Sequence, residues 1–310
     1  MKIEKKISII IPTYNRYDML RQAVESIKNQ TYLSKEIIVI DDCSSDKTQD
    51  IEKTYPEVIY IKNEQNKGPS YSRKKGLEIA TGDYIVFMDD DDYYTDNYFF
   101  EKAIDIFASE EKLVFVSANS TIKYEDTGKM DKHILSVQGK YLSRMYLRNT
   151  PFEDNMPTST FPTIFSKTAL DKADFGNMET VNDMAIYMRS MLGEKNIYML
   201  TDDVGVYRIH KSNISNNIDV EFLINNLKEK LYVYQYIKKK KLFPDYDEWW
   251  IKQIQVSVGY WVYGSHPKDS DFQHMYHWCL KNSEDTKCIK KTFSEYRVYL
   301  KDLRRCGARI

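Results

Sequence analysis

The chain has 310 residues, of which 42% are hydrophobic and 29% are charged, a composition that excludes a disordered chain and supplies enough apolar material for a core. The formal net charge of −1 excludes a globally basic nucleic-acid-binding protein, so we expect no nucleic-acid partner. At this length we expect one large domain with an appendage.

Strands and helices alternate along the first hundred residues. The predicted strands are 7–11, 36–40, 58–61 and 84–88, and the predicted helices begin near Asp18, Thr48 and Ser70. Pro12 is predicted to stop the first strand, and Asp18 is predicted to cap the first helix. Strands that alternate with helices at this spacing indicate a parallel sheet built from βαβ units, so the predicted fold class is α/β.

The fourth predicted strand runs directly into four carboxylates, Asp89 to Asp92. Each unpaired charge would cost several kcal/mol in a core, so the strand must end there, with the acids in a crevice or in water. In open α/β sheets, ligands bind at the carboxyl ends of the strands. A carboxylate cluster at that point suits a hard divalent cation.

Four blocks of sequence stand out in the first hundred residues. They are IIIPTYNR at 9–16, VIDDCSSDKT at 39–48, NKGPSYSR at 66–73 and MDDDD at 88–92. In order and spacing these blocks resemble the family 2 glycosyltransferases. The resemblance covers the first third of the chain, and it implies the GT-A fold, an inverting mechanism and a nucleotide-diphospho-sugar donor.

The resemblance also implies a donor-binding set at the ends of the predicted strands. A uracil ring N–H needs a carboxylate or carbonyl acceptor, and Asp42 resembles the family residue that supplies it. Arg73 stands where the family has a cation near the nucleotide; the alternative is one more charge on a helix face. The implied nucleotide-sugar-binding residues are Pro12, Thr13, Tyr14, Arg16, Asp42, Gly68, Arg73, Asp89 and Asp90.

In the acidic block the family pattern is Asp-x-Asp. The resemblance implies that Asp91 binds the metal, Mg²⁺ or Mn²⁺, and that Asp92 hydrogen-bonds the loop; a register shifted by one residue stays open. One departure from the family is Cys43, where glycine is common. Because a cysteine would strain a turn with positive φ, we expect a milder turn there.

A second group of candidate residues lies further along the chain. Helices are predicted at 99–108 and from 182, with strands at 113–118, 161–165 and 204–210. Residues 124–155 are polar with little periodicity and are predicted to contain mobile loops over the acceptor side. Ser166 is predicted to cap a helix. Asp183 resembles the family's catalytic base, although Asn182 replaces the preceding glutamate, and we expect the base to need no large pKa shift. His210 resembles a further metal contact, since imidazole binds Mn²⁺ beside carboxylates.

The last ninety residues read as helices, with one from 220 to 241 and another from Asp247. The segment from Thr286 carries eight Lys/Arg against two acids and is interleaved with aromatic residues. Such a helix can lie on an anionic bilayer, and an ordinary solvated helix or a homo-oligomer contact are the alternatives.

We therefore predict a catalytic domain at 1–218, with a nucleotide-binding half at 1–100 and an acceptor half at 101–218, followed by a helical extension at 219–310. The predicted donor is a UDP-sugar, and the acceptor is a hydroxyl of a polysaccharide, a lipid-linked oligosaccharide or a glycoprotein glycan. The cysteines show no paired spacing, which predicts a reducing compartment. The sequence shows no signal-peptide stretch and no apolar segment long enough to span a bilayer. We therefore expect a cytoplasmic protein, peripheral on the inner face of the plasma membrane.

Three other functions fit parts of the pattern. A nucleotidyltransferase also pairs a nucleotide with a carboxylate-held metal, but residues 12–16 lack the glycines of a triphosphate loop. A phosphatase with an aspartyl nucleophile would use Asp89 and Asp91 and would not depend on a nucleotide. A catalytically silent nucleotide-binding subunit would keep the fold without turnover, and Asn182 leaves that reading open.

Overall fold

The computed structural model describes residues 5–150, 156–157, 159–193, 195–210 and 218–305. The chain divides into two compact units. The first unit comprises residues 1–147 and 155–210, and the second comprises 148–154 and 211–310. The functional division of the first unit into a nucleotide half and an acceptor half stays a prediction.

The described part of the first unit is built on a ten-stranded sheet in the order β3-β2-β1-β4-β9-β6-β10-β5, with β7 beside β6 and β8 beside β10. The strands are β1 Ile7–Thr13, β2 Lys35–Asp41, β3 Ile59–Lys62, β4 Tyr84–Phe87, β5 Tyr93–Tyr94, β6 Leu113–Tyr124, β7 Met130–His133, β8 Gly139–Leu142, β9 Thr163–Ser166 and β10 Asn196–Ile209. β1 to β4 are mutually parallel, β10 is parallel to β6, and β9 runs antiparallel to its neighbours β4 and β6. The predicted α/β fold class is confirmed, and the sheet is mixed, with parallel and antiparallel pairs.

Helices flank this sheet. They are α1 Tyr17–Lys28, α2 Ile51–Thr54, α3 Gly68–Ile79, α4 Phe99–Ser109, α5 Ser143–Asn149, α6 Lys167–Lys172 and α7 Asp183–Ser190. α3 lies very close to β1, because a Cβ on Gly76 would stand 2.3 Å from Cγ2 of Ile10. A glycine at this point of α3 lets the helix backbone approach the strand.

Local predictions near the first strand need correction. β1 continues through Pro12 to Thr13, whose register partner is Asp41, so Pro12 does not stop the strand. At the end of a strand, one missing N–H is tolerated. The N-cap of α1 is Arg16, and Asp18 lies inside the first turn, where its charge favours the positive end of the helix. Ser166 does occupy the N-cap of α6, but without a side-chain capping bond.

The prediction of loops within residues 124–155 missed the regular structure of that stretch. It contains β7, β8 and α5, while residues 151–155 lie outside the described residues. β7 pairs antiparallel with the far half of β6, from Ser120 to Lys123. Its polar sequence carries little strand propensity, so the partner strand decides the conformation.

The described part of the second unit is helical. Its helices are α8 Val220–Lys240, α9 Tyr246–Ser265, α10 Asp269–Lys281 and α11 Thr286–Arg305. Its core is aromatic: Trp249, Trp250 and Trp261 are almost fully buried, and Trp250 stacks on Tyr234 at 5.5 Å between ring centroids. The predicted helical C-terminal region is confirmed. Among the described residues, no helix combines the length and apolar content required to cross a membrane.

Candidate active site

The candidate site lies at the carboxyl edge of β1, β2 and β4. Because these strands are parallel neighbours, the residues that follow them meet at this edge. The backbone N–H of Asp42 donates to the carbonyl of Thr13 over 2.8 Å, which fixes the ends of β1 and β2 together. Tyr14, next in the loop, is 47% exposed, so its ring is open to a ligand.

Asp42 organises the loop that opens α3. Its Oδ1 accepts from Asn63 Nδ2 and from the backbone N–H of Lys67, both over 2.9 Å, and its Oδ2 accepts from the N–H of Gly68 over 2.6 Å. Gly68 has a φ of +81°, a conformation that glycine adopts without strain. The predicted donor-binding residues Asp42 and Gly68 are thus direct neighbours.

The turn after Asp42 differs from the prediction. Cys43 has a φ of +70°, so the expectation of a milder turn was wrong. Asn15, on the adjacent loop, also has a positive φ, and its Oδ1 accepts from the N–H of Ser45 over 2.7 Å. Sequence reasoning missed this contact between the two loops, although asparagine tolerates positive φ and is a recognised signal of such a turn.

Basic and hydroxyl groups from the end of β1 hold the acidic block. Thr13 Oγ1 donates to Asp90 Oδ2 over 2.7 Å. One Arg16 nitrogen, Nη1, donates to Asp90 Oδ1 over 3.0 Å and to Asp91 Oδ2 over 2.8 Å. Asp90 and Asp91 are almost fully buried, so Arg16 offsets charge that would otherwise be costly there. Burial raises the pKa of Asp90 to about 7, although the charge of Arg16 lowers it.

The two candidate metal ligands converge. Nε2 of His210, the residue that follows β10, lies 2.8 Å from Oδ2 of Asp91. Among the described residues, no group of three or more His, Cys, Asp or Glu side chains is arranged to hold a metal ion. One carboxylate and one imidazole still fit Mg²⁺ or Mn²⁺, since such ions often take one or two protein ligands and complete their shell with substrate phosphates and water.

The candidate base lies on the other side of the acidic block. Asn182 is the N-cap of α7 and accepts from the N–H of Ala185 over 2.8 Å, which explains an asparagine at this position. The next residue, Asp183, lies 3.2 Å from Nη2 of Arg73, and the same nitrogen donates to Oδ1 of Asp89 over 2.6 Å. Nη2 of Arg73 therefore contacts two carboxylates, Asp89 in the acidic block and Asp183 at the start of α7.

The pKa of the Asp183 carboxylate differs from that of an ordinary aspartate. Partial burial raises the pKa of Asp183 to about 6, the charge of Arg73 lowers it, and the nearby carboxylate of Asp89 raises it. The side chain retains 32% exposure, so its carboxylate is accessible to a second substrate. A carboxylate with a raised pKa is a stronger base than an ordinary aspartate while still being ionised at neutral pH.

Asp92 is fully buried, and one of its two partners, Ser159, is a residue that the sequence did not point to. Its carboxylate accepts from Ser159 Oγ over 3.1 Å and from the backbone N–H of Arg208 over 3.3 Å. Burial and the charge of Asp91 raise the pKa of Asp92 well above its usual range. Arg208 lies near the end of β10, two positions before His210.

The architecture and the site together define a class of protein. Polar side chains gathered where the parallel strands of an open sheet end are typical of α/β proteins that bind a ligand at that edge. The particular family follows from comparison with known families. The model of Glycosyl transferase family 2 matches residues 8–194, more than half of the chain. The chain therefore belongs to glycosyltransferase family 2.

Two relatives illustrate the similarity in sequence. EpsH of Bacillus subtilis (strain 168) is 28% identical over 217 residues, which are 67% of this chain and 62% of EpsH. The GalNAc(5)-diNAcBac-PP-undecaprenol beta-1,3-glucosyltransferase of Campylobacter jejuni is 42% identical over 92 residues, 28% of this chain and 30% of that protein. The chain thus spans less than two thirds of the length of EpsH.

A solved structure is similar over nearly the whole chain. Residues 1–349 of S. aureus TarS match with a TM-score of 0.69 at 16% identity, covering 97% of this chain and 92% of that chain. The same protein with bound UDP-GlcNAc gives a TM-score of 0.62. At this identity the likeness shows a shared GT-A fold.

Proposed function

We propose that this chain is an inverting glycosyltransferase that moves a sugar from a UDP-sugar to an acceptor hydroxyl. One observation carries the proposal. Arg73 Nη2 lies within 3.2 Å of both Asp89, in the donor-side acidic block, and Asp183, the candidate base. The groups needed for the donor and for the acceptor therefore belong to one site.

The reaction is a single in-line displacement. Asp183 takes the proton from the acceptor hydroxyl, whose oxygen forms a bond to the anomeric carbon as the bond from that carbon to the diphosphate oxygen breaks. The electron pair of the broken bond leaves with the nucleotide diphosphate. General-base catalysis contributes about 10²- to 10⁴-fold, and alignment of the two substrates contributes most of the remainder.

A UDP-sugar is the proposed donor for two reasons. Oδ2 of Asp42 accepts from Gly68, and a carboxylate oxygen has a further lone pair that can accept from a uracil ring N–H. The TarS structure, which shares the fold, holds UDP-GlcNAc. In this proposal the exposed ring of Tyr14 packs on the base, with Pro12, Thr13 and Arg16 lining the ribose side.

Asp91 and His210 are the proposed ligands of Mg²⁺ or Mn²⁺, because their donor atoms lie 2.8 Å apart. A divalent cation there would neutralise negative charge on the leaving diphosphate. Arg16, whose Nη1 lies 2.8 Å from Asp91 Oδ2, provides a second positive charge at the same point. The protein's own contribution is to keep these groups buried and fixed before the donor binds.

The proposed acceptor is a glycan or a lipid-linked oligosaccharide, with α11 as a peripheral contact to the inner face of the plasma membrane. Ile289, Phe293 and Leu300 of α11 are buried. The opposite face carries four exposed lysines, Lys287, Lys290, Lys291 and Lys301. Such a basic face attracts anionic lipids. The Campylobacter relative, named for an undecaprenol-linked acceptor, favours the lipid-linked class.

The first test is a donor screen. UDP-, GDP- and dTDP-sugars are each incubated with the protein in the presence of Mg²⁺ or Mn²⁺, and release of the nucleotide diphosphate is measured. The proteins compared are the wild-type chain and the variants Asp91→Ala and Asp183→Asn. We expect metal-dependent turnover of one UDP-sugar that falls in both variants. Failure of every nucleotide diphosphate to bind in the presence of metal would overturn the proposal.

A further inference from the structure

Helix α3 presents a row of three side chains to the segment that leads into α7. Ser70, Arg73 and Lys74 are spaced i, i+3 and i+4, so they share one helix face. Ser70 Oγ accepts from the N–H of Val181 over 3.0 Å, and Arg73 Nη1 donates to the carbonyl of Val181 over 2.8 Å. Lys74 Nζ donates to the carbonyl of Met178. α3 thereby fixes the backbone just before Asp183.

The two terminal nitrogens of Arg73 both contact protein oxygens. Nη1 contacts Val181, and Nη2 contacts the carboxylates of Asp89 and Asp183. Arg73 is 5% exposed, so a diphosphate could reach it only by displacing these carboxylates. A planar fork whose two terminal nitrogens are already directed at three oxygens is suited to fixing their positions.

We propose that Arg73 is a positioning residue for the base Asp183, and that it does not bind the phosphates of the donor. The proposal rests on the role of Asp183 given above, and it replaces the role that the sequence resemblance implied for Arg73. Arg73 fixes the Asp183 carboxylate directly and fixes its backbone through Val181.

The charges in the site explain why a cation is needed at this position. Asp89 and Asp183 both approach Nη2 of Arg73, and two carboxylates this close would repel one another without a positive charge between them. Loss of that charge favours the protonated form of Asp183, or movement of Asp183 towards solvent. Either change removes the base without altering Asp42, Thr13 or Tyr14 on the nucleotide side.

The test separates donor binding from catalysis. Three proteins are compared: the wild-type chain, Arg73→Gln and Arg73→Lys. The affinity of each for UDP is measured by calorimetric titration in the presence of Mg²⁺. The rate of sugar transfer from the UDP-sugar found in the screen is then measured for each protein as a function of pH. In Arg73→Gln we expect unchanged UDP affinity and a kcat at pH 7 that is lower by about 100-fold. The pH at which kcat reaches half of its maximum should be higher by about one unit or more, because loss of the positive charge favours the protonated form of Asp183. Arg73→Lys keeps the charge but lacks the fork, so its kcat and midpoint should fall between the other two.

Two outcomes would overturn the proposal. One is a large loss of UDP affinity in Arg73→Gln, and the other is a dependence of kcat on pH in that variant with the same midpoint as in the wild-type chain. The variant Asp183→Asn separates this inference from the proposed function. If Asp183→Asn transfers the sugar at the wild-type rate, Asp183 is not the base and the proposed function fails. If Asp183→Asn is inactive while Arg73→Gln behaves as the wild type, only the role of Arg73 fails. Arg21→Gln, at an exposed arginine on α1, is the matched control, and thermal unfolding of each variant verifies that it folds.

Discussion

Nε2 of His210 lies 2.8 Å from Oδ2 of Asp91, although 119 positions separate the two residues in the chain. The end of β10 and the loop after β4 thus meet at one point. His210 brings an imidazole ring to a carboxylate that is almost fully buried. The pair is well suited to exchange its mutual hydrogen bond for shared coordination of a cation.

Replacement of His210 by alanine tests this pair. Because the substitution removes one of two proposed protein ligands, the Mg²⁺ or Mn²⁺ concentration for half-maximal activity should rise by about tenfold or more. Metal titrations of donor turnover measure the change. His274→Ala, at a half-exposed histidine of α10, should leave the metal dependence unaltered. A wild-type metal curve for His210→Ala would exclude His210 as a ligand.

The pH dependence of the reaction should report Asp183. Its pKa is raised to about 6, and only its ionised form can accept a proton, so kcat/KM should fall as the pH drops through about 6 and level off above it. Initial rates from pH 5 to 8 at low donor concentration measure this limb. A flat profile down to pH 5 would contradict the assignment of Asp183 as the base.

The close contact of α3 with β1 predicts a stability effect. In Gly76→Ala the new Cβ would stand 2.3 Å from Cγ2 of Ile10, so α3 or β1 must shift and the free energy of unfolding should fall by about 1–3 kcal/mol. Denaturant unfolding measures the loss. Gly193→Ala is the matched control, since its Cβ meets no atom within 4 Å and its cost should stay within about 0.5 kcal/mol. Equal stability of the two variants would show that α3 accommodates the methyl group.

The basic face of α11 should bind anionic lipid. Each lysine near such a surface contributes about 1 kcal/mol, so the triple replacement of Lys287, Lys290 and Lys291 by glutamine should weaken binding by about two orders of magnitude. Co-flotation with phosphatidylglycerol-containing vesicles measures this, with phosphatidylcholine vesicles as the reference.

A second triple variant replaces the exposed Lys239, Lys240 and Lys241 at the C-terminal end of α8 by glutamine, which removes the same charge elsewhere. An equal loss in both triple variants would assign the affinity to net charge and not to α11. Absence of binding by the wild-type chain would refute the membrane contact.

Much of the fold could be predicted from the sequence, because its strands are short apolar runs that end in polar loops. The run from Ile7 to Ile11 and the run before Asp89 are both buried strands in the structure. Their carboxyl ends gather Thr13, Asp42 and the acidic block, as parallel pairing requires. The sequence therefore predicted which of these residues lie together at one edge of the sheet.

What could not be predicted depends on neighbours distant in the sequence. The strand β7 forms because β6 offers it a partner, and its own polar residues give little indication of a strand. The direction of the Arg73 side chain depends on the position of Val181, 108 residues away. The raised pKa of Asp183 follows from burial and from Asp89, neither of which a local pattern reveals.

The pairing of Asp91 with His210 also bears on how the protein acquires its activity. Contacts across 74 to 119 residues join Arg16, Arg73 and His210 to their partners, so the site has a high contact order. Such contacts form late in folding, after the costly closure of long loops. A nascent chain on the ribosome should therefore stay unable to hold its donor until β10 has emerged, and donor binding can serve as an assay for completed folding of the first unit.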